Sequence, residues 1–65
     1  MKLYKIYTNG DVDYDEFDSC VVAANSEAQA RKESVSIPGT IEVEYLGKAK
    51  RGIKVGVIVS SFNAG

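Results

Sequence analysis

Phe17-Asp18-Ser19-Cys20-Val21-Val22-Ala23-Ala24 runs straight into Asn25-Ser26-Glu27-Ala28-Gln29-Ala30-Arg31, and the switch at Asn25-Ser26 decides the fold. The first half is apolar on both sides, with Cys20, Val22 and Ala24 against Val21 and Ala23. Such a run reads as a strand that needs cover on both faces. The second half opens on Ser26 with Gln29 three positions later, which fits a capping box, and Glu27 suits the positive end of a helix. The segment from Ser26 to Ser34 is rich in Ala, Glu, Lys and Arg. Ala24, Ala28 and Val35 offer it a thin inner stripe, and small side chains let it lie close to a sheet.

Working outward, Leu3 to Thr8 is aromatic and β-branched and reads as a first strand. Asn9-Gly10 is a turn signal, because both residues tolerate positive φ. Asp11 to Glu16 is too polar for a core and reads as an exposed loop. On the other side, Pro38-Gly39 stops the helix. Thr40 to Leu46 then alternates, with Ile41, Val43 and Tyr45 on one face and Glu42 and Glu44 on the other, as a one-sided strand does. Gly47 to Gly52 is a basic connection, and Ile53 to Ser61 reads as the last strand. The expected order is β-β-α-β-β. This is a single α+β domain over residues 1–65, a four-stranded, largely antiparallel sheet with one short helix on one face.

At 65 residues the chain buries only about 60% of its unfolded surface, so small folds of this size lean on disulfides, metals or oligomerisation. Cys20 is the one cysteine and there is no histidine, which removes an intrachain disulfide, a His-dependent triad, and the usual zinc and haem ligand sets. Cys20 itself reads as a small buried hydrophobe. Oligomerisation remains. The strand at Val21–Ala24 is apolar on both faces. So is the last strand, where Val55, Val57 and Val59 alternate with Ile58 and Phe62. One helix leaves the second face bare, which predicts a homo-oligomer, dimer or tetramer, through that face or by edge pairing.

Met1-Lys2-Leu3-Tyr4-Lys5 has no apolar core of a signal peptide and no run approaches membrane-spanning length, so neither export nor a membrane is expected. The formal net charge of −1 gives no global attraction to a polyanion. Charge is segregated, however. Asp11, Asp13, Asp15, Glu16 and Asp18 crowd one stretch, and Lys48, Lys50, Arg51 and Lys54 another. Asp11-Val12-Asp13-Tyr14-Asp15 starts like a calcium loop, but Glu16 stands where glycine is needed and Val22 where a bidentate glutamate is needed. A solvated loop is the plainer reading, with Tyr14 and Phe17 free to stack on a ligand or to pin the loop. The basic connection reads either as a solvated turn or as a phosphate holder, with Arg51 bidentate and Gly52 allowing close backbone approach. Duplex nucleic acid does not suit so small a patch. Tyr4 and Tyr7 differ in parity, so one faces away from the helix and offers a stacking surface. Finally, Ser60-Ser61-Phe62-Asn63-Ala64-Gly65 attaches two hydroxyls, an aromatic ring and an amide directly to a core strand, as part of a binding site would.

Tyr14-Asp15-Glu16-Phe17-Asp18-Ser19 with the Val21-Val22-Ala23-Ala24 strand, Ser26-Glu27-Ala28-Gln29-Ala30-Arg31, Val43-Glu44-Tyr45-Leu46-Gly47-Lys48-Ala49 and the terminal Ser61-Phe62-Asn63-Ala64-Gly65 together resemble a family of very small phage proteins. That family includes viral sponges that sequester cyclic nucleotide signals of bacterial immunity, of the anti-CBASS and anti-Hailong type. The resemblance implies a non-catalytic oligomer in the host cytoplasm, without a cofactor, that encloses a cyclic nucleotide second messenger at subunit interfaces. On that reading Tyr7 or Tyr14 stacks on a base. Ser60, Ser61 and Asn63 bond phosphate or a base edge, with Phe62 among them. Lys50 and Arg51 balance phosphate charge, and Asp15 or Asp18 accepts from a base amine or a ribose hydroxyl. Two rivals stay open: a small module or inhibitor that binds a host protein, and a metal-dependent phosphodiesterase built on the acidic loop.

Overall fold

The computed structural model describes residues 1–8 and 16–63, and the side chains of all of these except Glu16, Phe62 and Asn63. The elements are β1 (Lys2–Thr8), β2 (Glu16–Ala24), α1 (Glu27–Glu33), β3 (Ile41–Lys48) and β4 (Gly56–Asn63). They form the α+β fold that the sequence predicts. All pairings are antiparallel and the sheet order is β3-β1-β2-β4. β1 and β2 are therefore central, and the two strands nearest each other late in the chain stand on opposite edges.

The helix begins where its cap requires. Ser26 has extended backbone, and its hydroxyl accepts from the Gln29 N–H at 3.2 Å. The Gln29 carbonyl oxygen reaches one residue past the cap and accepts from the Asn25 N–H at 2.7 Å. Two otherwise orphaned donors are thus satisfied reciprocally. The helix ends at Glu33. The Ser34 hydroxyl donates to the Val35 carbonyl at 2.8 Å, and Cys20 Sγ lies 3.3 Å from the Ser34 Oγ. A hydroxyl has a single proton, so the Cys20 thiol is the donor in that second contact.

The core lies between α1 and one face of the sheet. Tyr4, Ile6, Cys20, Val22, Ala24 and Ala30 are buried, with Val35, Ile37, Ile41 and Val43 packed against them. Ile6 and Val22 are the largest fully buried side chains, each contributing about 1.5–3 kcal/mol of apolar burial. Helix placement differs in one respect from the expected stripe. Ala28 is exposed and Ala30 is the buried helical residue. The expected stripe was counted from Ala24, which belongs to β2, so its phase does not carry over into a helix that starts at Glu27.

The strand ends also move. Glu16, expected in the loop, opens β2 by pairing with Asn63. β3 continues to Lys48, and β4 spans Gly56–Asn63 where Ile53–Ser61 is expected. The Lys50 backbone carbonyl accepts from the Ile53 N–H at 3.2 Å in a turn, which leaves Ile53 and Lys54 in the connection. The Asn9-Gly10 turn and the acidic stretch from Asp11 to Asp15 lie outside the described residues.

Each edge strand carries one irregularity. Leu3 pairs with Gly47 and Tyr4 with Tyr45, which leaves Leu46 without a partner. Val21 pairs with Val59 and Val22 with Val57, which does the same to Ile58. This bulge corrects a sequence reading. Strict alternation groups Val57 with Val59, whereas the extra residue puts Val57 level with Val22 on the helix side and Val59 level with Val21 on the other. Gly47 and Gly56 stand at φ +145° and +143° at the ends of one cross-sheet row, Gly47–Leu3–Ala23–Gly56. That backbone region disfavours a side chain, and glycine lets both edges turn there.

Candidate functional site

The sheet face away from α1 is read row by row from the pairing register. One row is Glu42–Tyr7–Ser19–Ser61, and the next is Glu44–Lys5–Val21–Val59. The first is polar throughout. The second grades from acidic through basic to apolar. On this face Ala23 is fully buried and Val21 half-buried, so the bareness that sequence predicts for β2 is confined largely to its neighbour β4.

A shallow cavity of about 120 Å³ lies on the β2–β4 side, lined by Lys5, Ser19, Cys20, Val21, Val59, Ser60 and Ser61. Lys5 supplies its charge. The register sets Lys5 beside Glu44, yet the single ion pair among the described residues is Arg31–Glu27, 3.4 Å, on the exposed helix surface. The Lys5 ammonium instead stands 5.0 Å from the centre of the Tyr7 ring. A cation over an exposed aromatic face gains about 0.5–1 kcal/mol, so Lys5 is held loosely and keeps its donors for a ligand. Ser19 donates to Asp18 Oδ1 at 3.3 Å, so its proton is turned to a carboxylate. Glu44 is the direct neighbour of Lys5 on β3 and Asp18 adjoins Ser19, so carboxylates stand beside Lys5, the one cation among the described residues that lines the cavity.

The predicted site residues divide into three sets. Tyr7 and Ser61 share a row, with Ser60 and Asp18 adjoining, so these four are brought to one end of the sheet. Phe62 and Asn63 continue β4 opposite Phe17 and Glu16 at that end, their side chains being outside the description. Lys50 and Arg51 sit at the other end, past the Lys2–Lys48 pair, where Ala49 donates to the Met1 carbonyl. Tyr7 is five residue steps along β1 from Lys2, about 17 Å at 3.3 Å per step, so within one chain these two cations do not join the serines. Tyr14 and Asp15 lie outside the described residues. Tyr4, the other tyrosine of β1, is buried and tilts against Tyr45 with ring centres 5.8 Å apart, which leaves Tyr7 as the outward one, as parity predicts.

Sequence reasoning missed Lys5 and Ser19. Both sit within strands, without a motif, and only cross-strand register sets Ser19 beside Ser61 and Lys5 in the adjoining row. Parity alone, applied to Lys5 as it was to Tyr7, places it on the same outward face.

Among the described residues no group of three or more His, Cys, Asp or Glu is arranged to hold a metal ion, and no helix is long and apolar enough to cross a membrane. No family model, curated protein or solved structure matches the chain.

Proposed function

We propose that this chain is a non-catalytic, homo-oligomeric binder that sequesters a cyclic nucleotide, acting as a phage sponge against a bacterial immune signal. The observation that carries the proposal is the groove in which Lys5, Ser19 and Ser61 adjoin Val21 and Val59 on the outward face, with Ser60 level with the helix-side Cys20. A phosphate suits the Lys5 cation and the Ser61 hydroxyl, and a sugar or base suits the apolar wall beside them. Its scale supports an oligomer. Sites that enclose a drug-sized ligand run to about 300–1,000 Å³, whereas one chain offers about 120 Å³. A cyclic dinucleotide has two phosphates and two bases, and two symmetric subunits present the same residues to each half. Lys50 and Arg51 enter such a site only from a neighbouring subunit.

Thermal unfolding against a panel of cyclic di- and trinucleotides, with linear controls and no added metal, tests this reading. A ligand at 100 times its dissociation constant stabilises by about 2.7 kcal/mol. Lys5→Ala is expected to weaken the best ligand at least tenfold, since hydrogen bonds to charged groups contribute about 1.5–3 kcal/mol. No shift with any cyclic nucleotide sinks the proposal. Recovery of intact nucleotide after heat denaturation separates a sponge from a phosphodiesterase.

A second reading, a module that binds a host protein by strand addition, is favoured by the exposed, uncharged β4 edge. Its mark is a host protein retained in stoichiometric amount, with no response to any nucleotide.

A further inference from the structure

We infer that β4 is the seam of a homodimer, pairing antiparallel with β4 of a second copy to join two four-stranded sheets into one continuous sheet.

β4 is an outermost strand, so one row of its N–H and C=O groups faces away from β2. Natural edges are usually guarded by charge, proline or shortness. From Val55 to Asn63 there is no charged residue and no proline, and β4 is eight residues long. Val57, Ile58 and Val59 are 40%, 50% and 58% exposed in succession. The bulge at Ile58 does interrupt the strand, but β4 is regular from Val59 to Asn63, because the next irregularity falls on β2 at Asp18. The seam therefore runs over Val59–Asn63, with Val57 and Ile58 flanking it.

A second copy fits this edge, and charge chooses among the ways two copies can pair. Joining β3 to β3 sets Glu42 and Glu44 against their own copies across the seam, a repulsion that costs stability. Joining β3 to β4 is head-to-tail and builds an open-ended array. Joining β4 to β4 opposes no like charges in any register and closes after two chains. The need also belongs to the chain itself, whose core contains only two large, fully buried side chains among the described residues.

A two-fold axis perpendicular to the sheet puts both helices on one side and both grooves on the other. Val59 and Ser61 then flank the seam, and each copy contributes one half of a longer trough. That consequence rests on the nucleotide reading, whereas the pairing does not.

Sedimentation of the full chain from micromolar to sub-millimolar concentration tests the pairing. The expected species has twice the chain mass of 7.0 kDa. Val59→Lys is expected to weaken the dimer at least tenfold, while Glu44→Lys on β3 leaves it unchanged. Hydrogen exchange on the wild-type protein decides the matter even where Val59→Lys does not fold. Residues 56–63 are expected to gain protection with concentration, and residues 41–48 are not. A wild-type monomer throughout the range overturns the inference. So does a dimer whose β4 amides exchange as in the monomer, or one that a folded Val59→Lys variant leaves intact. A monomer that binds a cyclic nucleotide removes the seam and keeps the ligand reading, and a β4-paired dimer that binds none does the reverse.

Discussion

The two edges of this sheet are built alike and finished differently. Each flanks a central strand, each has one bulge with an exposed aliphatic residue, Leu46 or Ile58, and each turns at a glycine of the same row. β3 then carries Glu42, Glu44 and Lys48, and its apolar side chains Ile41 and Val43 pack on the core beside Val35 and Ile37. β4 carries no charge and leaves three aliphatic residues half in water. The bulge is thus shared and does not tell a guarded edge from an open one. Side-chain charge does, and it says where a sheet is closed by design.

The largest effect is expected where the edges share support. Ile6 is fully buried between the Val43 and Cys20 positions of its neighbouring strands. Ile6→Ala is expected to cost about 2–5 kcal/mol, through lost burial and a residual cavity, and to lower both edges in a single transition by calorimetry. A variant in which β4 alone melts early would break the equivalence. Next, the double change Glu42→Val and Glu44→Val gives β3 the uncharged finish of β4. The expected outcome is new, concentration-dependent association seen by light scattering, beyond the wild-type species. If no such association appears, charge is not what guards β3. The smallest effect belongs to the helix start. Ser26→Ala removes the cap and is expected to cost about 1 kcal/mol in chemical denaturation. Because α1 packs on β1, β2 and β4, exchange should rise more along β4 than along β3.

Much of this fold is legible in the residues. The capped helix, the one-sided β3 and the outward Tyr7 follow from local chemistry and parity, which need no partner strand. The order of strands does not follow. Alternation states which residues share a face and says nothing about which strand lies beside which. The bulge at Ile58 was equally hidden, since Val55-Gly56-Val57-Ile58-Val59 reads as unbroken alternation until β2 supplies a register. The candidate site shows the same boundary. Ser60 and Ser61 stand out as hydroxyls at the end of an apolar strand, whereas Lys5 and Ser19 gain meaning only from the register that sets them opposite Val21 and Tyr7 in adjoining rows. Lys50 and Arg51 are conspicuous as a cluster, yet charge density gives no end of the sheet.

The crossing connection between Lys48 and Gly56 fixes how the sheet is completed. β3 and β4 are neighbours in the chain on opposite edges, so no hairpin can zip them together. β4 reaches β2 only by closing the chain around the end of the sheet, after every residue of its partner has been made. Until that closure the open edge belongs to β2. A chain in which β4 is slow to dock therefore presents Val21 to Ala23 to its surroundings, and the sticky border of the sheet moves by one strand when β4 arrives.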